Sequence, residues 1–237
     1  MRLRLSVCVA TLAQATASTM TKHGHWLLAE QRQVLAAWLS YVALALAAGC
    51  DVGTYYSQID MNAEAVALKH QLNKLVRHPH KSLPYTDSAA TDAWDALTDL
   101  DRDPSNFSQV LPIYGRQGVD AKRRGALLGA WSPEHVFLRT EGVSDSGQAA
   151  VDLHCLHAAD SVLKALRGSR YFDECSRVTE VSCIAPAHEG APEDTSRSGD
   201  EMSGTFMPPA VVRGDIARSL FYLAVRYDGT DANTVDF

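Results

Sequence analysis

Trp131-Ser132-Pro133-Glu134-His135-Val136, then Asp152-Leu153-His154, then Ala159 to Leu166 form the stretch from which the chain is read outward. Trp131 to Arg139 reads as a strand and Ala150 to Leu156 as its partner. The polar, glycine-containing segment Glu141 to Gln148 fits the loop between them. Ala159 to Leu166 reads as a helix that Gly168 stops. Two strands and a helix in this order can bring a carboxylate, an imidazole and a helix side chain to one point. That set suits phosphodiester hydrolysis. A histidine near neutrality takes a proton from water. A hard cation such as Mg2+, bound through oxygen, stabilises charge on the phosphate and the leaving oxygen. Taken alone, an adjacent Glu-His pair reads equally as a surface pair on a strand.

Upstream, Asn62 to Arg77 has helical periodicity. Ala65, Leu68, Leu72, Leu75 and Val76 fall on one face and Lys69, Asn73 and Lys74 elsewhere. Pro79 ends it. Asp92 to Leu97 reads as a second helix. Asp99 to Pro104 is an acidic turn that an EF-hand reading does not fit, because Pro104 stands where Gly is needed and Val110 where the bidentate Glu is needed. Val110 to Tyr114 reads as a short strand. Lys122-Arg123-Arg124 is either a solvated face or a phosphate contact. Downstream, Glu189 to Gly204 is rich in Gly, Ser, Glu and Asp and reads as a flexible loop. Pro208-Pro209 precede a closing helix from Val212 to Tyr227, with Val212, Ile216, Leu220, Leu223 and Tyr227 on its apolar face. No internal repeat is visible. The fold class expected is α+β, with helices around a small antiparallel sheet.

The formal net charge of −6 over 237 residues argues against a chain that coats nucleic acid, since phosphate neutralisation needs clustered Lys and Arg. It leaves room for one local basic cleft. The five cysteines contain no CxxC pair, which argues against a zinc ribbon or a thioredoxin-like motif. Residues 1–49 read as an export signal or hydrophobic N-terminal segment. Met1 to Ala17 ends in a small-x-small pattern, and a second start at Met20 leads into the apolar run Val34 to Ala48. That run is shorter than a spanning helix needs; its alternative readings are a membrane anchor or a core helix. Cys50 raises a lipid anchor as the alternative to a secreted or periplasmic location. Residues 50–237 form the expected folded domain. An oxidising compartment would let Cys175 and Cys183 close a small disulfide loop; two unpaired buried thiols are the other reading.

From Tyr55 to Tyr227 the chain resembles the endonuclease I family of periplasmic and secreted nucleases. The resemblance runs in order through Tyr55-Tyr56, Ser82-Leu83-Pro84-Tyr85, Asp101-Arg102-Asp103-Pro104 and Val110-Leu111-Pro112-Ile113-Tyr114. It continues through Trp131 to Val136, then Asp152-Leu153-His154 with Ala159-Asp160 and Arg167-Gly168. It is most specific from Phe206-Met207-Pro208-Pro209 through Arg213-Gly214-Asp215-Ile216-Ala217-Arg218 to Val225-Arg226-Tyr227.

The resemblance implies a ββα-metal, or His-Me finger, site. In it His135 is the general base, Glu134 is a metal-binding carboxylate and Mg2+ or another divalent cation is the cofactor. The substrate implied is DNA, with RNA left open, and no stable protein partner is expected. At the position of the family's second metal ligand, an Asn, this chain has Lys164. A charged ammonium has three donors and no acceptor, so it cannot ligate a cation. Ser132 and Pro133 also replace the family's Asn and Arg, Leu138 replaces its Pro, His157 and Ala158 replace its Arg and Pro, and Ser169 replaces its Asn.

Three explanations stand open. Catalysis is lost and the protein binds nucleic acid without cutting; or Asp160, one helical turn before Lys164, supplies the missing oxygen; or Lys164 itself offsets phosphate charge. Arg167 is placed as a phosphate contact or a helix C-cap. His154 is an orienting or substrate-binding group, or a core histidine. His157 reads as an exposed turn residue, Cys155 as a buried small side chain, and Arg218 and Arg226 as structural ion-pair members.

Overall fold

The computed structural model describes residues 52–77, 81–87, 89–143, 147–175 and 182–229. The proposed export segment lies outside them. The chain divides into two units, Met1–Asn62 and Ala63–Phe237. In the first, the described part holds one short helix, α1 (Val52–Tyr55), with Tyr55 and Tyr56 meeting edge to face at 4.8 Å.

The second unit is built on an antiparallel pair, β3 (Trp131–His135) and β4 (Leu156–Asp160). Its register sets Trp131 opposite Asp160, Glu134 opposite His157 and His135 opposite Leu156. The partner strand thus begins where the sequence reading ended it. The reason is Asp152. Its carboxylate accepts the backbone N–H of His154 and the hydroxyls of Tyr222 and Tyr227. A side chain that bonds backbone two residues on bends the chain into a turn. Gln148–Val151 forms a 3-10 turn before it, and the extended backbone starts only at Leu156.

Strand alternation splits the pair between two cores. Trp131, Leu156 and Ala158 pack with Ala93, Leu97 and Val110. Ala159 faces Tyr114, Val136, Leu163, Phe206 and Ile216. β4 runs directly into α4 (Ser161–Arg167), and Gly168 closes that helix with φ +48°. The first core is roofed by α3 (Ala93–Leu100), whose N-cap Asp92 accepts from Asp95 N at 3.0 Å.

The Val110 to Tyr114 strand is shorter than expected. Only β1 (Gln109–Val110) pairs, with β2 (Val119–Asp120), and Ile113 and Tyr114 continue into the core. The Asp99 to Pro104 turn is more than solvated. Asp101 lies part-buried, takes the N–H of Ala158 and faces His157 Nδ1 at 3.5 Å. That acidic turn therefore anchors β4, and His157 is a half-buried strand residue rather than an exposed turn residue.

Two longer helices, α2 (Ala65–Arg77) and α5 (Ala210–Arg226), pack against each other. Asn73, read as lying off the apolar face, is buried and donates to the carbonyls of Val225 and Arg226 at 3.0 and 2.9 Å. It satisfies carbonyls that the end of α5 leaves without intrahelical donors.

A four-stranded sheet completes the unit. Its order is β5 (Tyr171–Phe172), β8 (Thr205–Met207), β7 (Ser196–Ser198), β6 (Cys183–Ile184), with β5 and β8 parallel and the rest antiparallel. The segment Glu189 to Gly204 is therefore not simply a loop, since β7 lies within it. Its hydroxyl-rich composition suggests exposure, yet Thr195, Ser196 and Ser198 are buried. Arg170 holds the carbonyls of Ser198 and Gly199, and Thr195 Oγ1 donates to Pro192 O while accepting from Ala187 N. A disulfide joins Cys175 to Cys183 at the edge of this sheet. Among the described residues, no helix is long and apolar enough to cross a membrane.

Candidate active site

His135 ends β3 with its ring 8% exposed and stacked on Tyr85 at 6.1 Å between centroids. Its Nε2 lies 2.9 Å from the carbonyl oxygen of Ala150. A carbonyl can only accept, so Nε2 carries the hydrogen and Nδ1 carries the lone pair. Among the described residues Nδ1 has no partner, and it is not sealed from solvent. Burial, joined by the charges of Arg139, Lys164 and Arg167, lowers the imidazole pKa to about 4, although the Ala150 bond opposes the shift. The ring is therefore neutral at pH 7, with one open basic nitrogen.

Glu134 is the neighbouring residue and projects from the other face of the strand. It is 4% exposed. Its Oε1 accepts from Tyr114 OH at 2.8 Å and from Arg167 Nη1 at 3.0 Å. Oε2 has no hydrogen-bond partner among the described residues and is not sealed from solvent. Burial pushes the carboxyl upward, and Arg167, Lys164 and the Tyr114 hydroxyl hold it down. Arg167 also donates to the carbonyls of His135 and Val136, both at 2.9 Å, and its guanidinium lies 4.7 Å from the centroid of Phe172. One buried guanidinium thus fixes the end of β3 and the carboxylate it carries.

Lys164 comes from the middle of α4. Its ammonium donates to Ser132 Oγ at 3.2 Å and to the carbonyl of Pro133. Its charge acts on both the Glu134 carboxyl and the His135 ring. Glu134, His135, Lys164 and Arg167 are therefore brought together.

Asp160 is not joined to them by any contact. The expectation that it shares a helix face with Lys164 assumed helical backbone at Asp160. It is instead the N-cap, with φ −65° and ψ 145°. Its Oδ1 accepts from Leu163 N at 2.8 Å, while Oδ2 is buried and unpaired beside Gly115, where an added Cβ would approach it to 2.8 Å. By the strand register it faces away from Glu134. The cavity of about 280 Å³ that Asp160 lines with Gly115, Ser161 and His188 has neither Glu134 nor His135 in its wall. His154 belongs to another network: its Nδ1 meets Asp152 Oδ1 at 3.1 Å and its ring stacks on Tyr222 at 4.3 Å.

Sequence reading gave no role to Tyr114, Tyr85 or Ala150. The two tyrosines lie in quoted blocks, so their blocks were visible but their targets were not. A backbone carbonyl has no sequence signal at all.

The oxygens near this point do not make a convincing Mg2+ site. Mg2+ asks for near-octahedral oxygen ligation and is held through one or two carboxylates plus phosphate and water. Glu134 Oε2 is one such oxygen, Asp160 is engaged elsewhere, and the ammonium of Lys164 stands where a second ligand is implied. Among the described residues no group of three His, Cys, Asp or Glu side chains could hold a metal ion.

The family model described as Endonuclease I matches residues 64–236. The chain is similar to an extracellular ribonuclease of Bacillus amyloliquefaciens, with 31% identity over 185 residues, covering 76% of this chain and 56% of the relative. It is also similar to an extracellular ribonuclease of Bacillus subtilis, with 30% identity over 183 residues and the same two coverages, 76% and 56%. The chain thus spans about half the length of these curated relatives. No solved structure matches it.

Proposed function

The chain belongs to the endonuclease I family, and on that footing we propose that it is an exported nuclease that hydrolyses phosphodiester bonds in RNA and DNA. The observation that carries this reading is the bond from His135 Nε2 to Ala150 O, which leaves Nδ1 as an open base in a neutral ring. A water placed against Nδ1 loses a proton to it as its oxygen attacks phosphorus. The imidazole is held in one tautomer by Ala150 and in one plane by Tyr85. Arg167 keeps Glu134 in place, and Glu134 Oε2 is available to orient the water or a cation. Because the group contacts phosphate chemistry and offers no base-reading edge, cleavage is expected to be largely indifferent to sequence.

RNA is included because the curated relatives are named ribonucleases. Export is supported by those relatives' names and by the Cys175–Cys183 disulfide, a bond that persists in oxidising compartments. The divalent-cation requirement that the family resemblance implies lacks a matching donor set, so no step is routed through a metal.

A direct test is cleavage of supercoiled plasmid and of single-stranded RNA by the purified chain and by His135→Ala. Loss of a general base is expected to slow cutting by roughly 100-fold or more. Cutting unchanged by the substitution would remove His135 from the reaction. Lys164 favours a second reading, binding without cutting, in which the substrate is retained on the protein and stays intact.

A further inference from the structure

Three of the positions at which this chain departs from its family pattern meet in one contact. Lys164 Nζ donates to Ser132 Oγ and to the carbonyl of Pro133. The substitutions are therefore not scattered losses around a failing site. They build a holder for one ammonium group, anchored on β3 immediately before Glu134. An ammonium has three donors. Two are used by Ser132 and Pro133, and the third has no partner among the described residues. The group is half-buried, so it keeps one open side. Burial lowers its pKa from the usual lysine range, and Glu134 acts in the opposite direction.

We propose that the Lys164 ammonium takes the place of the divalent cation, holding the scissile phosphate beside Glu134 and His135, so that this chain cuts without a metal. The inference rests on the nuclease reading above. In the step itself, His135 Nδ1 takes a proton from water, the water oxygen bonds to phosphorus, and the bond from phosphorus to the leaving oxygen breaks. The leaving oxygen takes a proton from solvent, and His135 later returns its proton to solvent. Lys164 neither gains nor loses a proton. It offsets charge on a non-bridging phosphate oxygen through its third N–H, in a position fixed before the substrate arrives.

The contact with Ser132 and Pro133 also explains why a flexible side chain can serve. A lysine left free would lose rotamer entropy on engaging the phosphate. Here two bonds have already fixed it. Arg167 cannot do the same work, because its donors are committed to Glu134, His135 and Val136 and its plane to Phe172.

The test uses the purified full chain with supercoiled plasmid and single-stranded RNA, in excess EDTA and in millimolar Mg2+, with near-UV circular dichroism confirming that each variant is folded. The chain is expected to cut in EDTA at a rate within about threefold of that in Mg2+, and K164M to lose roughly 100-fold of the EDTA rate, the scale of losing one preorganised donor. K164R, which keeps the charge, is expected to retain more of that rate than K164M. K164N restores a neutral oxygen ligand and is expected to cut only with Mg2+. Parent activity that vanishes in EDTA and returns with Mg2+ overturns the role given to Lys164 and leaves the nuclease reading standing. A parent inert in both conditions beside an active K164N does the same, and makes Lys164 a block. Cutting in EDTA that survives His135→Ala, or folded proteins none of which cuts, overturns the nuclease reading itself and this inference with it.

Discussion

His135 Nε2 lies 2.9 Å from the carbonyl oxygen of Ala150, and this contact chooses the tautomer of the ring. It comes from a 3-10 turn between the two strands of the pair. The turn therefore does chemical work: it leaves Nδ1 without a hydrogen, pointing at whatever water the substrate brings.

The pH dependence of cleavage follows from that ring. The His135 pKa is lowered to about 4, with burial as the leading cause. The base is competent when neutral, so kcat/KM is expected to rise tenfold per pH unit below about pH 4 and to level off above it. An ordinary histidine would place that bend near pH 6.5. A profile measured at pH values where circular dichroism shows the chain folded, with its bend near 6.5, would contradict the environment assigned to His135.

The buried pair Arg167–Glu134 should dominate local stability. Arg167 is 3% exposed and Glu134 4%. Removing one partner leaves a buried charge alone, so Arg167→Met is expected to cost about 3–5 kcal/mol in urea unfolding. Tyr114→Phe removes one hydrogen bond to a charged oxygen while keeping the ring, and is expected to cost about 1.5–3 kcal/mol. A cost below 1 kcal/mol for Arg167→Met, on the order of a surface pair, would mean that the pair is not closed off from water.

His157 gives stability a dependence on pH of opposite sense to that of His135. Burial alone would lower its pKa, but the Asp101 carboxylate, with help from Asp215 and Glu134, raises it above the usual 6.5. A histidine whose pKa is raised by folding binds its proton more tightly in the folded chain. Its contribution is therefore complete below about pH 6.5 and fades as pH rises through the folded value. His135, with its depressed pKa, contributes above pH 6.5 and loses that contribution as pH falls toward 4. Denaturant titrations of the parent and His157→Gln at several pH values should show the parent's advantage shrinking from pH 6 to pH 8. An advantage that grows over that range would reverse the assignment.

Much of the architecture was legible in the residues. The 3.6-residue spacing of Leu68, Leu72 and Leu75, and of Val212, Ile216, Leu220 and Leu223, marked the two long helices, because burial of one face imposes that period. The strand at Glu134-His135 and the helix ending at Gly168 were also read. The partner strand was displaced because Asp152 uses its side chain on backbone and tyrosine hydroxyls, a local competition that apolar patterning does not register. The sheet strand at Ser196–Ser198 was hidden for the same kind of reason: its buried hydroxyl groups sit in a segment whose composition suggests exposure.

At the site, the sequence by itself determined the fold class, the family and the presence of Glu134, His135, Lys164 and Arg167. These follow from residue identity and from ordered blocks along the chain. Only the tertiary structure decided how they act. It chose the His135 tautomer through a backbone carbonyl, gave Arg167 to Glu134, turned Asp160 into a helix cap, and closed Ser132 and Pro133 around Lys164. The reason is physical: donors and acceptors are paired by distance across strands and turns, and distance in space is not written in the spacing of residues. The Glu134-His135 pair is therefore readable as a motif, but its proton and its charge are set by residues elsewhere in the chain.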